Sequence, residues 1–439
     1  MRNGSAAMPE LRNHGTLLVG YIALTVAEPV PVRLSLHQRP VAAHGRILAL
    51  AWGAWASGFF SLMLLSFVLQ PVQDAFALSE KALGWVTAVG VGMTGAGGLL
   101  FGWMSDRLGR RASLAAAIAA FGLGNLACGL ALSPAWLLVG RALTGLGVGG
   151  TWGAGQALMG ETFPPALRGR YGAIAQTGAP VGLGLAAVVG SFLAPAVGWR
   201  VVFLVSAVPL LALPLVRRVP ESDLWLEHRR RPPVERRRPI LAQLVAPDLL
   251  SRFVRAFVLT TLAMSSYWFA VIWLPRYLQR HGLSIFGSGW WTLTFVAGSL
   301  AGYLAFGWAS DRIGRRKAFS LFCAITGLGL GMVTLFWDLL AARPLAGLAC
   351  MAVAGFGTGI WSCFGPYFSE LFPTRVRGAA MSVIINVTRG VQFAAPVVIA
   401  AVAARWAMDA GVALAAGFAV LAGLWVWTLP ETAGAALED

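Results

Sequence analysis

The chain has little charge for its length. Only 12% of its 439 residues are charged, whereas 57% are hydrophobic. A soluble domain carries about 25% charged residues, so the composition excludes an ordinary soluble protein and favours one that lies mostly in lipid. Lysine is nearly missing: Lys81 and Lys317 are the only two lysines, and the other residues counted as basic are arginines.

Cysteine is also scarce. Each of the four cysteines lies inside an apolar run, without a close partner or the spacing of metal ligands. We interpret them as packing residues and expect no disulfide, no metal and no other cofactor. They are Cys128, Cys323, Cys350 and Cys363.

Apolar runs long enough to cross a bilayer recur along the chain. A helix needs about 20 apolar residues to cross the hydrocarbon core, and twelve runs satisfy this condition. The sequence therefore predicts an all-α membrane protein with twelve transmembrane helices. Their expected ranges are 47–70, 82–104, 112–131, 135–158, 170–194, 199–217, 251–274, 286–309, 318–339, 344–368, 378–404 and 407–428.

Acidic residues and histidines are absent from the middle of these runs. The 18 acidic residues and five histidines fall in tails, loops or the ends of spans. No mid-span nucleophile has a base beside it, so we do not expect an enzyme.

The position of the arginines predicts the orientation. A net charge of +16 would suggest nucleic acid in a soluble protein, but these residues lie between spans, where they set topology and meet anionic lipid. If both termini lie on the cytoplasmic side of the inner (cytoplasmic) membrane, most of the basic residues are cytoplasmic. We therefore expect this orientation, and we expect no nucleic-acid partner. The six external ones are Lys81, Arg200, Arg276, Arg280, Arg343 and Arg405.

Runs of charge and proline suggest the domain boundaries. We expect a cytoplasmic tail at 1–45, a six-helix bundle at 46–217 and a second bundle at 251–428. A linker at 218–250, containing RRRPP and ERRRP, joins the bundles, and a short tail follows at 429–439.

Two stretches about half a chain apart are nearly identical. Residues 101–113 read FGWMSDRLGRRAS, and residues 306–318 read FGWASDRIGRRKA. Two shorter pairs follow them: ETFPPALRG at 161–169 with ELFPTRVRG at 370–378, and PES at 220–222 with PET at 430–432. Three matched pairs at nearly one offset predict a duplicated bundle, an arrangement typical of solute transporters.

With these motifs the chain resembles the major facilitator superfamily over all twelve spans. GRALTGLGVGG at 140–150, VPESDLW at 219–225 and LPETAG at 429–434 are similar to further motifs of that family. The chain looks closest to the sugar-porter and metabolite–proton symporter branch, which carries organic, sialic or aromatic acids. The resemblance implies two pseudo-symmetric six-helix bundles that rock around a substrate near the midplane.

The resemblance also implies a gate at the cytoplasmic membrane edge. Two aspartates among arginines would latch this side in the outward-open state, and Glu161 with Arg168 and Glu370 with Arg377 could complete the latch. Topology alone also accounts for the arginines. The expected gating residues are Asp106, Arg107, Arg110, Arg111, Asp311, Arg312, Arg315, Arg316, Glu161, Arg168, Glu370 and Arg377.

One arginine lies deep in a span and is the main candidate for binding substrate. Arg389 is about eleven residues into span eleven, roughly 16 Å at 1.5 Å per residue. Asn386 and Gln392 lie at helical spacings of three, which predicts one shared face. A guanidinium there suits a carboxylate, although it could instead bond to carbonyls of a broken helix.

Other candidates are spread over both halves. Arg141 in span four could attract an anion or hold helix one, and Gly145, Gly149 and Gly153 predict a close-packing ridge on the same span. The remaining expected substrate contacts, each of which could equally be a packing residue, are Trp152, Gln156, Gln176, Tyr267 and Trp361.

We therefore expect a secondary transporter that moves a small organic anion by alternating access. The coupling stays open: a proton could ride on the substrate carboxylate or on an edge acid such as Glu161 or Asp74, or the protein could be a uniporter or exchanger. The alternatives are an efflux pump or uniporter for a drug-like compound, neutral metabolite or sugar, and a membrane receptor or embedded enzyme. The expected partners are the substrate, the lipid bilayer and, in a symporter, H+; we expect a monomer.

Overall fold

The structure is a computed structural model that describes residues 41–163, 171–172, 174–230, 247–373, 376–406 and 408–433. These residues form helices and their connections, and no strand occurs among them. The described part of the chain is therefore all-α, as the apolar runs predict.

Eleven of the helices in this part of the chain are long and apolar enough to cross a membrane. A further helix, Pro134–Thr162, lies between the third and fourth of them and is 29 residues long. It is less apolar because it carries eight glycines and Arg141. In chain order, α1 to α12 are Ala43–Phe67, Glu80–Leu108, Arg110–Gly129, Pro134–Thr162, Ile174–Val197, Trp199–Val216, Leu249–Arg280, Ile285–Ile313, Arg315–Leu335, Pro344–Phe368, Ala380–Ile399 and Ala410–Thr428.

Local sequence signals begin and end these helices. Ser79, Ser133 and Ser284 cap α2, α4 and α8, since each hydroxyl accepts a backbone N–H three residues on. Gly109 and Gly314 join α2 to α3 and α8 to α9 with φ of 107° and 95°, a backbone conformation that side chains other than glycine rarely adopt. The repeated hairpin therefore has the same turn in both halves.

Glycine faces allow the helices of each half to pack closely. Any side chain at Gly145 or Gly149 of α4 would collide with the backbone of α2, at Gly90 and Thr94. The same relation occurs between α8 and α10. The expected ridge on α4 is thus present at two positions, but Gly153 faces open space and does not belong to it.

Several boundaries differ from the expected ones. The first helix extends back to Val41, so the buried His44 lies within its first turn rather than in a tail. The expected linker contains a short helix, Asp223–Arg230. Proline explains the interruption of α6, which passes through a 3-10 segment at Val208–Ala212 beside Pro209.

Two helices of the second half are discontinuous near the middle. In α10, the helix Pro344–Gly357 is followed by a 3-10 segment at Thr358–Ser362 and a new helix at Phe364–Leu371. In α11, helix ends at Val391 and resumes at Ala394. Pro396 lacks the N–H that would bond to the Gln392 carbonyl, so the ladder is broken there. Between the halves, α1 packs on α7, α2 on α11 and α5 on α8.

Candidate substrate site and gates

Arg389 lies between two indole rings from the other half of the chain. Its guanidinium carbon is 5.2 Å from the ring centre of Trp55 in α1 and 5.0 Å from that of Trp152 in α4. Both distances are within the ~6 Å range of cation–π attraction. The side chain is only 8% exposed, and among the described residues it has no carboxylate or hydrogen-bond partner. The site thus holds a buried cation without a counter-charge.

The indole of Trp152 is held in place by a hydrogen bond. Its Nε1 donates to Oε1 of Gln176 in α5 over 2.8 Å. Gln156 lies one turn after Trp152 and, with Trp55 and Trp152, lines a cavity of ≈10 Å³. The structure therefore brings Trp152, Gln156 and Gln176 to the same place as Arg389, and it adds Trp55.

A chain of aromatic rings leads from this site into the second half. Trp55 contacts Phe59 at 5.6 Å between ring centres, Phe59 contacts Tyr267 at 6.2 Å, and Tyr267 contacts Trp361 at 5.6 Å. Tyr267 and Trp361 also line a second cavity of ≈10 Å³. A cavity of this size holds about one water. The first cavity lies within the first half and the second within the second half, and neither has room for a substrate in this conformation.

The neighbours of Arg389 in α11 do not share its surroundings. A side chain at Gly98 of α2 would collide with the Asn386 amide, and Asn386 Nδ2 donates to Ser382. Gln392 instead bonds to α7: its Oε1 accepts from Ser265 at 3.3 Å. The three residues do not share one face, because each step of three residues falls about 60° short of a full circle, so their directions spread over about 120° of the helix.

Arg141 is a buried link between helices of the first half. It is 1% exposed, and its two terminal nitrogens each donate over 3.0 Å to the carbonyls of Ser61 and Leu62 in α1. Asn125 of α3 donates to the Ser61 hydroxyl at 2.7 Å and so belongs to the same network. Of the two roles expected for Arg141, attracting an anion or holding helix one, these contacts favour the second.

The first basic hairpin forms an ion cluster with α4. Arg110 contacts Asp106 and Glu161, each over 2.7 Å. The Glu161 carboxylate also accepts from Nε of Arg110 at 3.1 Å, so the pair is bidentate and geometrically specific. Glu161 thus binds Arg110; its expected partner Arg168 lies outside the described residues.

The second hairpin repeats this cluster in detail. Arg315 contacts Asp311 at 2.6 Å and Glu370 at 3.0 Å. Thr432, near the end of the chain, donates to Glu370 at 2.6 Å. All these groups belong to the second half, as those of the first cluster belong to the first. The side chain of Arg377, expected beside Glu370, is outside the described part.

Two further glutamates complete the clusters, and sequence reasoning gave them no role. Glu221 accepts the backbone N–H groups of Arg110 and Arg111 at the start of α3, and Glu431 accepts those of Arg315 and Arg316 at the start of α9. A carboxylate at a helix N-terminus is favourable. The signal was the matched Pro-Glu pair that follows each half.

The pKa of the Glu431 carboxyl group is lowered by its surroundings. Burial alone would raise the pKa of its carboxyl group, but backbone N–H groups of Arg316, Arg315, Ala433 and Thr432 donate to it and together lower that pKa below its ordinary value. Glu431 is therefore held in its charged form at the start of α9.

Three of the other four arginines of the hairpins lie on tryptophan rings. Arg107 is 4.7 Å from the Trp103 ring centre, and Arg312 is 4.1 Å from that of Trp308. Arg316 packs on Trp427 in the same way. Arg111 donates to the carbonyl of Val219 at 3.2 Å. The expected gating residues whose side chains the structure describes thus form two groups: ion clusters of arginine with aspartate and glutamate, and arginines that contact neighbouring surface.

A third ion cluster joins the two halves at the opposite membrane face. Glu80, the first residue of α2, accepts from Arg276 and Arg280 of α7, each over 2.6 Å. Arg276 also donates to Gln73 at 2.7 Å. Sequence reasoning treated these arginines only as external charges. The available signal was an acid at the start of α2 facing two arginines predicted on the same side.

This arrangement defines a multi-pass helical transporter rather than an enzyme: repeated halves, discontinuous helices and a polar site buried where the halves meet. The Major Facilitator Superfamily profile matches residues 50–289 and 257–438. The chain belongs to the Major Facilitator Superfamily.

Similar proteins agree with this membership. The chain is 30% identical over 396 residues to a putative metabolite transport protein of Haemophilus influenzae, covering 86% of this chain and 94% of the relative. It is 30% identical over 407 residues to a probable 4-methylmuconolactone transporter of Cupriavidus pinatubonensis, covering 88% and 91%. Other relatives are described as transporters of cis,cis-muconate, gallate and sialic acid. The crystal structure of a D-xylose–proton symporter shares the fold, with a TM-score of 0.71 and 21% identity, covering 90% of this chain and 99% of that one.

Proposed function

We propose that this transporter moves a small organic anion and that Arg389 binds its carboxylate. The observation that carries the proposal is the guanidinium held between Trp55 and Trp152 without a counter-charge. A buried cation in a membrane favours an anionic ligand, because the ligand supplies the charge that the site lacks. Relatives named for muconate and gallate support this substrate class.

The surrounding residues have different roles in this proposal. Trp152 and Trp55 flank the carboxylate, and Tyr267 and Trp361 pack against the rest of the molecule across the aromatic chain. Gln176 orients Trp152, and Gln156 offers a polar contact beside it. Arg141, Asn386 and Gln392 act indirectly by holding α1 and α11 in place.

Alternating access follows from the ion clusters. Glu80, Arg276 and Arg280 close the outer face in this conformation, and the cluster must break for the outer side to open. The clusters of Arg110 and Arg315 brace each half so that it moves as one body. We propose that residues 46–217 and 251–428 are these bodies.

The remaining proposals concern the setting of the protein. We place it in the bacterial inner membrane with both termini cytoplasmic, which the arginine distribution supports, and we propose that it acts as a monomer. A proton has no mid-span carboxylate or histidine to carry it. In a symporter it would therefore travel on the substrate or on an edge acid such as Glu80.

Uptake into membrane vesicles tests the role of Arg389. With Arg389→Gln we expect the KM for a carboxylate such as muconate to rise about 10- to 100-fold, since a charged hydrogen bond contributes about 1.5–3 kcal/mol. Arg343→Gln, which removes an exposed charge on the external side, serves as the control. An unchanged KM for Arg389→Gln, or equal transport of the neutral amide of the same acid by the unmodified protein, would refute the proposal.

A further inference from the structure

A large groove on the first half lies apart from the substrate site. It has a volume of ≈890 Å³ and runs between α1 and α6, with Ile118 of α3 as its floor. Leu50 and Ala54 line the α1 side, and Leu211 and Leu215 line the α6 side. The volume is in the range of pockets that hold small molecules, whereas the cavities beside Arg389 hold about one water.

The walls of the groove are apolar and accessible. Leu211 is 77% exposed and Leu215 is 51% exposed. On the α1 side, a side-chain atom added at Gly53 would meet no other atom within 4 Å. Because α6 passes through a 3-10 segment that contains Pro209, it does not continue as a regular α-helix beside α1. The groove is thus open along its length and suited to a hydrocarbon chain.

One end of the groove is basic. Arg46, in the first turns of α1, and Arg218, just after α6, both line it and are both exposed. Among the described residues neither arginine forms an ion pair. Because α1 begins and α6 ends at the same membrane face, the two guanidinium groups lie at the level of lipid phosphates on the side that we propose to be cytoplasmic. Basic pockets between helices on that side are suited to anionic head groups.

We propose that this groove is a binding site for an anionic phospholipid, with an acyl chain between α1 and α6 and the phosphate at Arg46 and Arg218. A free inorganic anion would use the arginines but leave the apolar walls in water. A zwitterionic lipid would fill the walls but bring no net charge to the arginines. An anionic lipid satisfies both parts of the groove. The site lies on the moving first half, so its occupant contacts α1, the helix that carries Trp55.

Lipid retention on the purified full-length protein tests this inference. The measurements are native mass spectrometry and thermal stability with added phosphatidylglycerol, phosphatidylcholine or inorganic phosphate. We expect phosphatidylglycerol to be retained and to raise the Tm, with the other two having little effect. Arg46→Gln and Arg218→Gln should each weaken its retention about fivefold, and Arg343→Gln on the opposite face should not.

A second variant tests whether retention of phosphatidylglycerol depends on the apolar groove as well as on the two arginines. Gly53→Leu fills the groove without a collision at its Cβ and keeps both arginines, so it should also reduce retention of phosphatidylglycerol. Equal retention by Arg46→Gln, Arg218→Gln and the Arg343→Gln control would overturn the proposal. Stabilisation by inorganic phosphate equal to that by phosphatidylglycerol would overturn it too, because it would reduce the site to an anion contact.

Discussion

The ion cluster of Glu80, Arg276 and Arg280, which we propose closes the outer face, predicts how the conformational equilibrium of this transporter can be shifted. Replacing Glu80 by Gln removes the carboxylate that Arg276 and Arg280 share. The Arg280 pair is exposed on both sides and contributes about 0–1 kcal/mol. Arg276 is 5% exposed, and its charged hydrogen bond contributes more, though less than a fully buried one because the Glu80 side chain is 40% exposed.

Together these contacts favour the outward-closed state by about 1–2 kcal/mol. Their loss should raise the population that is open to the outside about 5- to 30-fold. The residual contact from Arg276 to Gln73 limits the effect. Two nitrogens of Arg276, Nε and Nη1, already have no hydrogen-bond partner among the described residues. The variant supplies no new carboxylate partner for them.

The assay is labelling of a single cysteine from outside. Cysteine at Phe59, in a protein whose four native cysteines are replaced by alanine, lies below the outer cluster beside Tyr267. A membrane-impermeant maleimide should react faster with Phe59→Cys when Glu80→Gln is also present, and Arg343→Gln should leave the rate unchanged. Exchanging the charges, with Glu80→Arg and Arg276→Glu together, should restore slow labelling. A rate that stays the same or falls with Glu80→Gln would refute the closing role of the cluster.

Three further predictions concern packing, pH and Arg141. Gly98→Leu would collide with Asn386 and should lower uptake at least 10-fold in vesicles, whereas Gly102→Leu, one turn on and facing open space, should not. Because the Glu431 carboxyl has a lowered pKa, its contribution to stability is full above the ordinary pKa and is lost as pH falls through the lowered one; the loss of Tm on acidification should be smaller in Glu431→Gln. Arg141→Ala should lower the Tm but leave the KM of the folded fraction unchanged, since the arginine bonds α1 carbonyls.

Sequence reasoning located the repeated clusters because their spacing is local. Asp106 with Arg110 and Asp311 with Arg315 are four residues apart across the short glycine turn between two helices, so the chain itself keeps each pair close together. The bonds from Arg110 to Glu161 and from Arg315 to Glu370 cross between helices, and their partners cannot be chosen from spacing alone. The N-terminal caps by Glu221 and Glu431 were missed for the same reason, although the repeat marked both residues.

The substrate site shows a similar limit. The depth of Arg389 followed from the length of its apolar run, because a charge in that position needs a special reason. The contacts of Asn386 and Gln392 did not follow, since Asn386 faces α2 and Gln392 faces α7, and spacing alone does not show which helices pack on either side of α11. Trp55 was missed because an indole in an apolar span has many uses, and only the contact with Arg389 distinguishes this one.

The two halves contribute different groups to the candidate site, and this explains how a substrate can control the separation of the halves in the proposed function. The cation comes from α11 in the second half, and the rings of Trp55 and Trp152 come from α1 and α4 in the first. With the site closed and empty, cation–π contact of about 0.5–2 kcal/mol holds the halves together at the centre. In the proposed function, Arg389 loses that contact when the halves separate without substrate and gains no carboxylate from the protein, because the acidic residues of the spans lie only at their ends. In the same proposal, a bound organic anion neutralises Arg389 while the halves are apart and stays beside it as they close, so that substrate stabilises both conformations.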